Sequence, residues 1–361
     1  MNERDASVSA SRFFCSMPFR VSGPTAFLPP FGYAGVMRAA GSLLILLSAL
    51  FLQGCVAERL APGPGPTTPT LVGNAHWRAG DGFLLAYSQW SAPEPATVIV
   101  ALHGMNDYGR FIDQAARYWQ DRGITTYAFD QRGFGRTEGN GRWPGHDVMA
   151  GDAATFLALV RVRHPGAKVF LLGESMGGAV ATLAAARGGR DLADGLILVS
   201  PAYWGWSNLD FFKRAGLWTM MQLAPGARLT GRGLNVRPSD NKEMLKALGQ
   251  DPFVIKATRV DATHGLVDLM EAAWQATPQV TMPTLVLYAD GDEIVPSGPI
   301  AGAAARLPGA RRVVCYADGY HMLLRDLDAQ RTWDEVAAFA TGTPPVESNP
   351  PTCAAEASSP K

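Results

Sequence analysis

An α/β fold with a mostly parallel central sheet and helices on both faces is predicted by two features of this chain. Strand-like and helix-like stretches alternate along most of its length, the pattern of repeated strand-helix-strand units. In the middle, Val169–Leu172 is apolar at every position, as suits a strand buried on both faces, and it runs through Gly173-Glu174-Ser175-Met176-Gly177 into a small-residue helical pattern ending near Arg187. A third feature qualifies the first: from Ala202 to about Pro278 the alternation stops and helical patterns rich in large apolar residues take over.

Taken in order, Phe83–Tyr87 and Thr97–Leu102 read as strands and Phe111–Arg122 as a helix. Ile124–Phe129 is a strand ending at Asp130, and Val148–Arg163 a helix. After the central strand and its helix come strand Gly195–Val199, strand Thr284–Tyr288, a helix near Pro299–Arg306, strand Arg312–Tyr316 and helix Asp328–Ala340. The interrupting segment, about 202–278, is an insertion between two strands. Emerging at their C-terminal edge, it would cover the crevice where open α/β sheets bind ligands, as a cap or lid. It carries Trp204, Trp206, Phe211, Phe212, Trp218, Met220 and Met221, most of which are expected to pack the insertion's own core. The same Trp204–Met221 stretch is a candidate acyl pocket.

The folded domain is expected over about 75–341. Residues 56–74 include the run Ala61–Thr70, APGPGPTTPT, which reads as a tether because proline removes donors and glycine favours the unfolded chain. Residues 342–361, rich in Pro, Ser and Thr without apolar periodicity, read as a disordered tail. Upstream, residues 37–55 combine Met37-Arg38, an apolar run from Leu43 to Leu52 and a terminal Gly54-Cys55, the anatomy of a secretory signal too short to span a bilayer comfortably. Leu52-Gln53-Gly54-Cys55 resembles the lipobox of bacterial lipoproteins, which implies acylation at Cys55 and a lipid anchor in the cell envelope. The alternatives are an ordinary signal peptide with a chance cysteine and an uncleaved anchor. Residues 1–36, with Asp, Glu, Arg and five serines before Pro24, make a poor lead-in, so a start at Met37 is the economical expectation and a long charged leader the alternative.

Composition narrows the function. Lysine plus arginine and aspartate plus glutamate each number 32, giving no net charge, and no Lys/Arg cluster appears, so no nucleic-acid partner is expected. Cys15, Cys55, Cys315 and Cys353 lie far apart without a C-x-x-C pair, so neither a zinc site nor a disulfide scaffold is indicated, and the chemistry around Ser175 calls for no metal or cofactor.

The chemistry gathers around Ser175. A strand, a glycine-flanked turn and a helix form the context in which Gly-x-Ser-x-Gly places a serine on a strained elbow, its hydroxyl clear of the sheet. The Met176 N–H, at the following helix N-terminus, then points at a developing oxyanion. A serine needs a base, and the base an orienting acid. His76, His146, His164 and His264 lie away from the strand ends in question, and His103 precedes the nucleophile and is expected to hold its own loop. His321, on the loop after the last strand, is the candidate base. For the acid, Asp290 and Asp292 both follow strand Thr284–Tyr288, and their positions alone do not separate them. The loop His103-Gly104-Met105-Asn106 follows an early strand and offers the Met105 N–H as a second oxyanion donor.

Together, Leu102-His103-Gly104, the run from Asp130 to Thr137, Gly173–Gly177, Asp292–Pro296 and Gly319-Tyr320-His321 resemble the monoacylglycerol lipase and lysophospholipase branch of the α/β-hydrolase fold, over about Trp77–Phe339. The resemblance implies Asp292 as the acid, with Asp290 the competitor, and Met105 and Met176 as oxyanion donors. Asp130 and Arg132 are expected to fix loops. The implied activity is serine hydrolysis of lipid-type carboxylic esters, such as monoacylglycerol or lysophospholipid, through an acyl-enzyme on Ser175. One rival is a proline-iminopeptidase-like peptidase, which would use acidic cap residues, Asp240, Glu243, Asp261, Asp268 and Glu271, to hold a substrate amine. The other is a surface lipoprotein that binds lipid without catalysis.

Overall fold

The computed structural model describes residues 57–343, apart from 232, 234 and 310, together with Cys353. The expected leader and signal segment, Cys55 itself, and the tail beyond 343 other than Cys353 lie outside the described residues.

Nine strands form one sheet: β1 (Thr70–Val72), β2 (His76–Arg78), β3 (Leu84–Trp90), β4 (Thr97–Leu102), β5 (Ile124–Phe129), β6 (Lys168–Glu174), β7 (Gly195–Val199), β10 (Thr284–Ala289) and β11 (Arg311–Tyr316). Their order across the sheet is β1-β2-β3-β5-β4-β6-β7-β10-β11. The first three strands pair antiparallel, and from β5 to β11 every pairing is parallel. β4, β5 and β7 are buried at every position, as strands covered on both faces must be. Eight α-helices accompany the sheet in the described residues: α1 (Asp113–Gln120), α2 (His146–Arg163), α3 (Met176–Gly188), α4 (Phe211–Leu223), α5 (Lys242–Gln250), α6 (Val260–Ala276), α7 (Ser297–Arg306) and α8 (Ala329–Thr341). One apolar layer joins α2, α3, α6 and α7 to the sheet through Phe156, Val180, Leu269 and Ile300, and the opposite layer packs Trp119 of α1 and Val336 of α8.

Four expectations are corrected. The Pro/Gly stretch is no free tether. Prolines occupy alternate positions 62, 64 and 66, and the residue after each keeps its N–H group: Gly63 donates to the Asp81 carboxylate, Gly65 to the Asp81 carbonyl and Thr67 to the Gly80 carbonyl. The sheet consequently begins at Thr70 rather than after Ala75. Ahead of this strap, Glu58 pairs with Arg142 and approaches Arg259 of the cap, while the Leu60 N–H donates to the Trp143 carbonyl.

Second, the insertion is only partly a cap. α6 buries Leu269, Ala273 and Ala276, positions spaced for one helix face, in the main core. Third, the insertion does contain strands, a short antiparallel pair β8 (Arg228–Leu229) and β9 (Thr258–Arg259). Its aromatics also divide: Trp204 and Trp206 pack with Leu209, Val267 and Met270, whereas Phe211, Phe212 and Trp218 are 75%, 83% and 60% exposed. No residue of α4 is buried, so for this helix the self-packing expectation is wrong. Fourth, a disulfide joins Cys315 in β11 to Cys353, which the wide cysteine spacing did not indicate.

Candidate active site

Ser175 follows β6, a central strand, and takes the N-cap position of α3 with φ +54° and ψ −119°, a strained conformation for a residue with a side chain. Crowding explains the glycines around it. A Cβ on Gly173 would lie 2.3 Å from the Gly177 carbonyl oxygen, and one on Gly177 2.2 Å from that of Leu102. The elbow therefore folds only if both positions lack side chains. Ser175 is half-buried, and Met176 is fully buried with its N–H in the unpaired first turn of α3.

The loop after β4 comes up against this elbow. A Cβ on Gly104 would lie 3.3 Å from the Ser175 Cβ and 3.8 Å from its Oγ, which puts the Gly104 backbone, one residue before Met105, against the serine. His103 holds that loop, as expected: its Nδ1 faces the Gly104 carbonyl at 2.8 Å and its Nε2 accepts the Gln131 N–H at 3.0 Å. That pairing assigns the neutral Nδ1–H tautomer, and full burial depresses the ring's pKa in the same direction. Asp130 fixes the next loop by accepting from the Gly109 N–H and from the backbone and guanidinium of Arg136. Arg132 bridges Asp81 and Asp152. Both thus take the loop-fixing parts foreseen for them.

Two further loops bring the base and acid to the same sheet edge. His321 Nδ1 lies 2.7 Å from Asp292 Oδ2. The other Asp292 oxygen accepts the N–H groups of Ile294 and Val295 at 2.8 and 2.9 Å, so the carboxylate is held on both sides and engages the imidazole through Nδ1, leaving Nε2 as the nitrogen for proton transfer. Asp290 is exposed, and among the described residues its carboxylate meets only the Ser297 hydroxyl, at 3.3 Å. Of the two aspartates, it is Asp292 whose carboxylate reaches the His321 ring, while Asp290 faces Ser297. The acid and base loops also touch: a Cβ on Gly291 would be 2.8 Å from the Gly319 carbonyl oxygen.

Three charged residues escaped the sequence reading. Arg325, four positions after His321, is 7% exposed and reaches Asp107 at 2.7 Å and Glu174 at 2.9 Å. Their signal in the sequence was slight, since each is a lone charge beside a motif. The cap is stapled to the same loops: Tyr108 donates to Asp251, the Ile255 N–H to the Asn106 carbonyl, Ser239 to Asp326, and the Met322 N–H to the Pro238 carbonyl.

Similarity to known proteins follows this geometry. The family model described as serine aminopeptidase, S33 matches residues 93–328, well over half of the chain. Human monoglyceride lipase is 27% identical over 279 residues, covering 75% of this chain and 90% of the relative. The monoacylglycerol lipase of Mycolicibacterium smegmatis is 24% identical over 276 residues, covering 72% and 93%. Among solved structures, the monoacylglycerol lipase of Paleococcus ferrophilus aligns with a TM-score of 0.60 at 22% identity, covering 72% of this chain and 98% of that one. A soluble variant of monoglyceride lipase from Saccharomyces cerevisiae, in complex with a substrate analog, aligns with a TM-score of 0.62 at 17% identity, covering 78% and 99%. These structural likenesses establish the α/β-hydrolase fold, and the family match establishes that the chain belongs to the serine aminopeptidase, S33 family.

Proposed function

We propose that this protein is a serine hydrolase that cleaves lipid-type carboxylic esters. The observation that carries the reading is the His321–Asp292 hydrogen bond at 2.7 Å, on the same sheet edge as the strained Ser175 elbow. Ser175 Oγ attacks the ester carbonyl while His321 takes its proton, and Asp292 holds the imidazole and stabilises the imidazolium. The N–H groups of Met105 and Met176 receive the developing oxyanion. His321 then returns the proton to the departing alcohol, and water releases the acyl group from Ser175 by the same steps in reverse.

The two curated relatives, both named as lipases of monoacylglycerols, support an acylglycerol or similar lipid ester as substrate. The family description leaves an aminopeptidase as the competing reading. It is disfavoured by the acidic residues of the insertion, because four of the five are already engaged: Asp240 accepts the Leu327 N–H, Asp261 pairs with Arg259, Asp268 binds the Trp206 indole, and Glu271 accepts from Ser207. A panel of p-nitrophenyl esters, monoacylglycerols, lysophospholipids and aminoacyl amides tests both. Protein beginning at Val56 is the right material, because residues 57–69 are docked on the domain. Ester turnover rising with acyl length from acetyl to octanoyl is expected, each buried methylene contributing about 0.8 kcal/mol. Faster turnover of aminoacyl amides than of esters would overturn the lipid reading.

We also propose that Cys55 is acylated and anchors the enzyme in a bacterial cell envelope. Two features support this: the lipobox-like Leu52–Cys55, and the Cys315–Cys353 disulfide, a bond that persists in oxidising compartments. One residue, Val56, separates Cys55 from Ala57, a reach of at most about 7 Å. Ala57 lines a cavity with Met221 of α4, so acyl chains at Cys55 would enter the bilayer close to the helix that exposes Phe211, Phe212 and Trp218. Mass spectrometry of membrane-fraction protein should find a mature form starting at an acylated Cys55. Soluble mature protein lacking Cys55, or carrying it unmodified, would refute the anchor.

A further inference from the structure

The loops bearing Met105, Ser175 and His321 leave β4, β6 and β11 separately, so contacts between them must set their relative placement. Arg325 makes those contacts. It lies on the His321 loop, with its own N–H donating to the Met322 carbonyl at 2.7 Å. Its Nη1 donates to Asp107 Oδ2 at 2.7 Å, and Asp107 stands two residues after Met105. Its Nη2 donates to Glu174 Oε2 at 2.9 Å, and Glu174 directly precedes Ser175. Asp107 is pinned in turn, its Oδ1 accepting the Tyr108 N–H at 2.8 Å. One buried cation therefore spans all three loops.

The arrangement is poorly explained as a stability device. Burial pushes the Glu174 carboxyl up, and the Arg325 guanidinium pulls it back. For Arg325 burial opposes the charge, but Asp107 and Glu174 outweigh it and keep the guanidinium protonated. Glu174 Oε1 and Arg325 Nε are buried with no hydrogen-bond partner among the described residues. A core needing only stability is better filled by apolar side chains than by a half-satisfied ionic network. What the network supplies is direction: a planar fork aims two N–H groups at two carboxylates on different loops, which a lysine ammonium cannot reproduce.

We propose that Arg325 is a positioning residue for the hydrolytic reaction, clamping Asp107 and Glu174 so that the Met105 and Ser175 backbones are held in register with His321. This rests on the triad reading above. Steady-state ester hydrolysis, with kcat expressed per serine titrated by a fluorophosphonate, tests it on the chain beginning at Val56. Glu174→Gln and Asp107→Asn, which keep shape and remove one charge each, should lower kcat about 10- to 100-fold, the scale of a small misplacement of reacting groups, with KM changed less than about threefold. Arg325→Lys should fall between wild type and Arg325→Met. If Arg325→Met does not fold, the two carboxylate variants and Arg325→Lys still decide. Lowered melting temperature with kcat within about twofold of wild type in those variants would make the clamp a stability element only and overturn the proposal. Ser175→Ala, run alongside, keeps the two readings apart: its failure to abolish turnover would sink the triad, whereas full kcat in the clamp variants with an inactive Ser175→Ala would sink the clamp alone.

Discussion

The sheet edge that carries Ser175 and the cap helix α4 are built to opposite specifications. At the edge, His103, Met176, Asp292 and His321 are buried, and the glycines of the elbow have backbone atoms within 2.3 Å of where a Cβ would go. On α4, thirteen residues pass without one buried side chain, and a Cβ on Gly216 would meet nothing within 4 Å. The edge crowds a few atoms into closely constrained places, as proton transfer and oxyanion stabilisation demand. The helix is held through Leu217 and offers exposed apolar area from Phe211, Phe212 and Trp218, which suits substrates and surfaces that vary. Between them lies a seam of hydrogen bonds, from Tyr108, Asn106, Ser239 and Pro238, that joins the cap's base but not α4 to the catalytic loops.

Breaking the edge should cost most. Ser175→Ala and His321→Ala should each lower turnover by several orders of magnitude, and the double variant should be scarcely worse, because the residues act as a unit. Asp292→Asn should cost less than Ser175→Ala but far more than Asp290→Asn, since only Asp292 touches the imidazole. Turnover measurements in which Asp290→Asn is the more damaging would reverse the assignment of the acid.

One substitution made in both regions sharpens the contrast. Gly177→Ala drives a methyl into the Leu102 carbonyl and should destabilise by about 3 kcal/mol or prevent folding. Gly216→Ala, in mid-helix with open space around it, should stabilise by about 0.5–1 kcal/mol. Urea unfolding of the two variants reads the sign directly, and equal effects would mean that the regions do not differ as described.

A third comparison concerns what α4 is for. Replacing Phe211, Phe212 and Trp218 by serine removes mainly exposed area, so stability should move by no more than about 0.5 kcal/mol per site. Hydrolysis of monoacylglycerol in vesicles should fall severalfold, while that of a soluble butyrate ester stays unchanged. Equal losses on both substrates would place these side chains in the acyl pocket instead of at the lipid surface.

The parts of this molecule that were legible in the sequence are those where one local rule decides. Buried parallel strands read as apolar runs, and the elbow as glycines at fixed offsets from a serine. The acid remained ambiguous because the distinction lies in which carboxylate receives the Ile294 and Val295 N–H groups, a property of loop closure. The strap was misread for a related reason: prolines at 62, 64 and 66 do remove donors, but those left at 63, 65 and 67 all find acceptors on the single turn Gly80-Asp81. Arg325, Asp107 and Glu174 lie 218 and 151 residues apart in chain, and nothing local announces a pairing at that range. The face on which α6 joins the core was likewise hidden, since a helical pattern in an insertion does not reveal which layer it meets.

The smallest expected effect lies on the seam. Asp326 accepts the Ser239 hydroxyl of the cap at 2.6 Å and the Tyr320 N–H of the His321 loop at 3.1 Å. Burial pushes its carboxyl up to about 6, with those two hydrogen bonds opposing the shift. The folded protein thus binds a proton at Asp326 between about pH 4 and 6 that the unfolded chain has released. Because the native state carries more protons in that window, the contribution of this group to stability is greatest below pH 4 and is lost as pH rises through 6. A shift of this size corresponds to at most about 3 kcal/mol between those limits. Asp326→Asn does not titrate, and although it alters one hydrogen bond by a constant amount, it removes this slope. Unfolding free energies measured from pH 4 to 7 should therefore converge or cross between wild type and variant, the wild type losing ground as pH rises. Parallel curves would show that Asp326 keeps an ordinary pKa, and that the seam holds its carboxylate charged throughout.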